Sequence, residues 1–137
     1  MGNRREAREC ALQMFFQLDL SQTSSTQVQQ TYWLRHDEIE EVHRDFADFL
    51  IDTFVAHADE IDALIREHAT NWRLERMPAV DKNILRMAIV EFQYCADIPS
   101  RVTLNESIEI AKKFGSEESG SFINGVLDKI AKKLGKE

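Results

Sequence analysis

Apolar side chains recur along this chain at spacings of three and four, the mark of amphipathic helices. Ala7, Cys10, Ala11, Met14, Phe15 and Leu18 form the first such stripe and predict a helix over residues 4–20. Asn3 followed by Glu6 has the form of a capping box at its start. The polar run SQTSSTQ interrupts the pattern, and a short helix is expected over 28–35. Phe46, Phe49, Leu50 and Phe54 share a face over 42–58, and Ile61, Leu64 and Ile65 continue it after a kink. Apolar positions then nearly encircle AVDKNILRMAIVEFQYC, residues 79–95, which predicts a central, buried helix. Lys82, Arg86 and Gln93 share its narrow polar stripe, and Glu91 falls on the apolar arc, where a carboxylate needs partners and has a structural role.

Thr103 with Glu106 reads as a capping box for a helix ending at Phe114, with Gly115 in the position that closes it. Ser119 suits the N-cap of a last helix over 119–134, and Gly125 within it reads as a close-packing position. No alternating strand pattern competes, and with only two prolines and five glycines little breaks the helices. The fold class expected is all-α.

Charge changes this picture more than composition does. The net charge is -7, yet residues 37–62 hold ten carboxylates against Arg44 alone, so the rest of the chain is slightly basic. The acidic block lies opposite the apolar faces of its two helices and reads first as a solvated surface, second as a docking face for a basic partner. A length of 137 residues suits one domain. No stretch of about 20 apolar residues could span a membrane, and the first residues lack the apolar core of a secretory signal. Cys10 and Cys95 sit in apolar helical stripes, as buried thiols of a reducing compartment would, which points to the cytoplasm.

Catalytic chemistry leaves no convincing trace. His36 and His43 are seven apart with no third ligand at a usable spacing, so no metal is expected. GSEESGS has the glycine spacing of a phosphate loop, but it lacks the lysine, and Glu117 and Glu118 would repel a phosphate. No histidine lies near its serines to activate one. The chain is expected to be no enzyme and to hold no cofactor.

The first helix is the exception in an acidic protein. Arg4, Arg5 and Arg8 project from one side of it, and Phe16 follows along the edge beyond Arg5, outside the main apolar stripe. Guanidinium groups bind phosphate in a fork, and an exposed ring offers a stacking surface to an unpaired base. That pairing suits single-stranded RNA better than duplex. The competing reading has the arginines paired with Glu6, Glu9 and other surface acids, and Phe16 packed under a loop.

Three blocks, RREARECALQMFFQL, VDKNILRMAIVEFQY and DIPSRVTLNESIEIAKKFGSEESGSFINGVLDKIAKKL, resemble those of the NusB family of bacterial transcription factors. The resemblance covers the first helix and nearly all of residues 73–134. It implies a single domain over 1–137 built of two small helical bundles, about 1–68 and 69–137. It also implies a partner, the small-subunit ribosomal protein NusE, with which family members bind the boxA element of nascent single-stranded RNA. The pair supports antitermination, notably in ribosomal RNA operons, by loading onto elongating RNA polymerase. A homodimer of the free protein that hides its RNA face is compatible with the resemblance, and no membrane is involved.

Carried over residue by residue, the resemblance implies an RNA face of Arg4, Arg5, Arg8, Phe16, Lys82, Arg86, Phe114, Glu118 and Phe122. Phe16 stands where the family often has tyrosine, so stacking remains and the hydroxyl's hydrogen bond does not. Phe114 and Phe122 are equally readable as core residues, and Glu118 repels phosphate, so it would tune affinity or orient a base or partner. Glu75 and Asp81 match carboxylates facing NusE; the plainer readings are a surface ion pair for Glu75 and a helix cap for Asp81. Two other classes stand beside this one: the RNA-recognition module of an RNA cytosine methyltransferase system, and a protein-interaction module without direct RNA contact. The lead expectation requires the arginines of the first helix to converge with Lys82 and Arg86 on one open surface.

Overall fold

The computed structural model describes residues 2–136, with side chains from residue 4 onward. Among the described residues seven α-helices follow one another: α1 (Gly2–Ser21), α2 (Ser25–Arg35), α3 (Glu41–Ala56), α4 (Ala58–His68), α5 (Ala79–Tyr94), α6 (Ser100–Phe114) and α7 (Ser119–Lys133). A single 3-10 turn, Leu74–Arg76, precedes α5, and no strand occurs among the described residues. The all-α expectation is met.

The near-cylindrical apolar surface of α5 decides the architecture. Ile84, Leu85, Met87, Ala88, Ile89, Val90 and Phe92 are all buried, and α5 packs against α1, α3, α4, α6 and α7. Each of these side chains but Ala88 contributes about 1.5–3 kcal/mol when removed from water, so a helix apolar on every side is stable only at the centre. The stripe of α1, with Met14 and Phe15 inside, packs on α3 and α5, and Phe15 meets Phe54 at a ring separation of 5.3 Å.

Helix ends depart from the sequence expectations in instructive ways. The start of α1 at Gly2 places Asn3 inside the helix; its side chain, and so the capping box, lies outside the described residues. Ser24 is the N-cap of α2, accepting from the Gln27 amide at 3.1 Å, so this helix begins earlier than its apolar positions indicate. The kink falls at His57, between α3 and α4. Gln22 closes α1 in the left-handed region, at φ 57°.

Thr103 lies within α6, not before it, and neither it nor Glu106 caps the helix. Ser119 is the first residue of α7, and its hydroxyl serves the preceding turn instead of the helix end. Gly115 does close α6, but at φ -98°, so the left-handed conformation is not the reason for glycine. A Cβ there would collide with Ser119 and stand 2.8 Å from the Ala111 carbonyl oxygen. Gly125 overturns its expectation: it is exposed on α7, and a Cβ would meet nothing within 4 Å.

Candidate nucleic-acid interface

The three arginines of α1 do leave on one side of the helix, but that side faces other helices. Arg8 is only 3% exposed and donates two hydrogen bonds, of 2.7 and 2.8 Å, to the buried Glu91 of α5. The Thr103 hydroxyl donates a third to Glu91 at 2.8 Å. Glu91 thus has the partners a buried carboxylate requires, and its structural role is met. One of those partners is a residue expected at the RNA face.

Arg5 pairs in the same forked way with Glu106 of α6, at 2.7 Å through both nitrogens, while remaining open to solvent on one side. That bond is the first cause holding the Glu106 carboxyl below its ordinary range, with the charges of Arg5 and Arg8 adding to it. Arg4 lies over the Phe46 ring at 4.9 Å and 3.7 Å from Asp97. Glu9, the nearer acid in sequence, instead takes Lys113 at 3.0 Å.

Arg86 is likewise sealed. It forks onto Asp62 of α4 at 2.9 Å, reaches Asp19 of α1 and the Asn83 side-chain oxygen at 3.0 Å, and lies over the Phe54 ring. Lys82, mostly covered, holds Asp19 at 3.1 Å. Burial pushes the Asp19 carboxyl up, but the hydrogen bond from Asn83, the charge of Arg86 and the hydrogen bonds from Lys82 and Arg86 outweigh it and hold the group below its ordinary value. The expectation of one open cationic track from α1 to α5 is therefore corrected. Arg8 and Arg86 occupy two separate buried knots, each closed by carboxylates distant in sequence.

Asp81 is also turned inward. It is buried at the first turn of α5 and accepts the Ser119 hydroxyl at 2.7 Å, while Ser119 Oγ accepts the Ser116 amide at 2.9 Å. Burial pushes this carboxyl above its ordinary range, and the Ser119 hydrogen bond offsets that only in part. Asp81 thereby fixes the turn between α6 and α7 and does not present its carboxylate outward. Glu75 does, as an exposed residue 3.2 Å from Arg66; a backbone hydrogen bond, then Arg66, lowers its carboxyl.

The aromatics fare differently. Phe16 is half-buried and Phe114 is 38% exposed, and both line one open groove of about 510 Å³ between α1 and α2, beside the ends of α5 and α6. Glu118 is exposed on the α6–α7 turn that Asp81 fixes. Phe122 is half-buried and meets the exposed Trp72 edge-on, at 6.5 Å between rings. Trp72 belongs to a second depression of about 410 Å³ that Arg66, Arg73 and Glu75 also line.

Sequence reasoning passed over Gln13, Gln17, Arg35 and Trp72, and weighed His36 only as a metal ligand. The signal for Gln13 and Gln17 was their one-turn spacing beside Phe16, and for Trp72 its place among arginines in NWRLER. Nothing local links Arg35 to Phe16, since α2 has to fold back on α1 first. No group of His, Cys, Asp and Glu suited to a metal occurs among the described residues.

The family model described as "NusB family" matches residues 5–132. The chain belongs to the NusB family. A curated NusB relative, the transcription antitermination protein of Koribacter versatilis (strain Ellin345), is 48% identical over 99% of this chain and 93% of its own length. The NusB of Myxococcus xanthus (strain DK1622) is 42% identical over 99% of both. Among solved structures, T. maritima NusB superposes with a TM-score of 0.89 at 34% identity, covering 95% of this chain and 91% of that one. A crystal structure of antitermination factors NusB and NusE in complex with dsRNA superposes at 0.88 and 26% identity, covering 97% of this chain and 98% of that one. NusB membership makes this chain a non-enzyme, as its want of catalytic groupings led one to expect.

Proposed function

We propose that the chain is an RNA-binding transcription antitermination factor of the cytoplasm. It pairs with NusE, binds the boxA element of nascent RNA, notably in ribosomal RNA operons, and joins the elongating RNA polymerase complex. The observation that carries the reading is likeness over nearly the whole chain to antitermination proteins, including one whose complex holds NusE and RNA. The geometry adds aromatic surface at the exposed Phe114 and the half-buried Phe16 and Phe122, with Arg4 and Arg5 exposed at the start of α1.

With Arg8 and Arg86 sealed, at most three of the five expected cations, Arg4, Arg5 and Lys82, reach solvent. Counterion release from three phosphates of a single strand predicts a roughly twenty-fold affinity loss between 50 and 200 mM salt. Intrinsic RNA affinity is accordingly modest, and NusE supplies a needed share of the contacts, with Glu75 as its carboxylate contact. The experiment is a titration of the purified protein with boxA RNA and NusE, separately and together, with mass in solution followed in each case. RNA affinity should rise when NusE is present. Duplex RNA belongs in the same titration, since the similar NusB–NusE complex contains it.

The burial of Arg8 and Arg86 favours one second reading, a partner-docking module without direct RNA contact. Tight NusE binding with no gain in RNA affinity, and a flat response to salt, would decide for it.

A further inference from the structure

The outer face of α3 takes no part in the core or in the RNA and NusE faces considered above. Val42, Phe49 and Ala56 stand seven apart and form one seam along this helix. All three are exposed, Val42 at 67% and Phe49 at 41%. Helix α1 bounds the seam on one edge, where Arg4 lies over the Phe46 ring. Helix α2 bounds it on the other, where Gln29 donates to Asp52 at 3.0 Å and Trp33 to Asp48 at 2.9 Å. Glu41, Asp45 and Asp52 are exposed along this second edge, and none has a cationic partner among the described residues. The histidines and Arg86 reach Glu38, Glu40, Glu60 and Asp62 instead. Asp48 registers the crowding: burial pushes its carboxyl up, and the charges of Asp52 and Asp45 push the same way against the Trp33 hydrogen bond.

We propose that the outer face of α3 docks a basic amphipathic helix of a partner protein other than NusE. The partner's apolar residues would lie on the Val42–Phe49–Ala56 seam and its lysines or arginines along the Asp45–Asp52 edge. Two observations select this occupant. A seven-residue spacing keeps the apolar side chains in line over nearly two turns, the repeat that receives the side chains of a second helix; an extended strand repeats every two residues and would miss it. Charge decides the rest. The uncompensated carboxylates attract a cationic edge and repel RNA and anionic lipid alike. Arg4 on the opposite edge confines the partner's cations to the α2 side and so fixes which way its helix faces. A second copy presenting the same face would set carboxylates against carboxylates.

The test titrates the full chain with a fluorescent model helix of about three heptads, leucine on its seam and lysine along one edge, read by anisotropy. A second peptide carries glutamate in place of every lysine. The lysine peptide should bind and the glutamate peptide should not. Phe49→Ser should weaken the lysine peptide roughly tenfold, the scale of one lost aromatic anchor. Val55→Ser removes an exposed apolar side chain of α3 from outside the seam and should change nothing. Asp45→Asn with Asp52→Asn should weaken binding about fivefold at low salt, and the difference should fade at about 1 M, where charges are screened. These side chains are exposed, so melting curves of the variants should coincide with the parent's, and Phe49→Ser should bind NusE and boxA RNA as the parent does.

Equal binding of the lysine and glutamate peptides, or of neither, would overturn the proposal. So would equal losses in Phe49→Ser and Val55→Ser, which would mark unspecific adhesion to apolar surface. Self-association of the parent that Phe49→Ser abolishes would assign the seam to a second copy of the chain instead. Loss of NusE binding in Phe49→Ser would make the seam part of the NusE interface and end the claim of a separate partner. The peptide readout contains no RNA, so failure of the RNA-binding reading would leave this one standing.

Discussion

Opposite sides of α1 show what a helix can do with the same inventory of polar and aromatic groups. Toward α5 and α6, Arg8 meets Glu91 in a dry setting, and every polar atom on the carboxylate has a partner. Toward α2, Phe16 and Gln17 border an open groove in which Arg35 is uncommitted. The first side closes the molecule and the second leaves it open to a ligand. A charge in a helical stripe therefore carries no functional meaning until its opposite number across the core is known.

The largest effect should come from breaking the closed side. Arg8→Ala leaves Glu91 charged and half-satisfied in the interior, and should lower stability by about 3–5 kcal/mol in urea unfolding. Arg86→Ala, which strands Asp62 as well as part of Asp19, should be comparable. Arg4→Ala and Arg5→Ala, whose ion pairs are exposed, should each change stability by no more than about 1 kcal/mol. Replacing the whole knot, with Arg8→Met, Glu91→Met and Thr103→Val together, should recover most of the Arg8→Ala loss, because buried ion pairs often do no better than well-packed apolar groups. Equal melting of Arg4→Ala and Arg8→Ala variants would erase the distinction between the two settings.

The elements themselves were legible because helical periodicity is a local property. The stripe of α1, the all-round apolar character of α5 and the buried status of Glu91 all follow from side chains within a few turns of each other. What failed was long-range pairing. Arg8 meets Glu91 across 83 positions of chain, and Arg5 meets Glu106 across 101. A helical wheel shows that three arginines share a side but not whether that side faces water. Thr103 and Glu106 had the spacing of a cap, yet Glu91 of α5 offered the first, and Arg5 of α1 the second, a stronger, charge-assisted partner. The groove was illegible for the same reason, since the polar run SQTSSTQ marks a break between its two walls but not how α2 folds back on α1.

The turn that carries Glu118 offers the next test. Gly115→Ala would drive a Cβ into Ser119 and toward the Ala111 carbonyl, and should cost about 1–3 kcal/mol as an overpacking change. Asp81→Asn probes the same turn through pH. The Asp81 carboxyl is raised in the folded protein, chiefly by burial, so the proton-bound form is favoured there. Its contribution is fully present below the unfolded value and is lost as pH rises through the folded one. Asparagine keeps an acceptor for Ser119 without the buried charge. The variant should be slightly more stable than the parent at pH 7, and this advantage should vanish as pH falls below about 4. An advantage constant from pH 3 to 8 would show that the carboxyl is not desolvated.

The smallest effect is the one that best separates folding from function. A glycine within a helix is less favourable than alanine by about 1 kcal/mol, and around Gly125 nothing would obstruct a methyl group. Gly125→Ala should therefore raise stability by about 0.5–1 kcal/mol, read as a shift of the urea midpoint with unchanged slope. The residue lies on the exposed face of α7, the helix that also presents Phe122. If the variant is stabilised and binds NusE and RNA as the parent does, this stretch of α7 is plain surface. If it is stabilised but binds either one more weakly, the missing Cβ marks a place where a partner's backbone comes close, and α7 joins the α1–α2 groove on the open side of the molecule. Destabilisation would instead mean that α7 packs more tightly at this point than its exposure indicates.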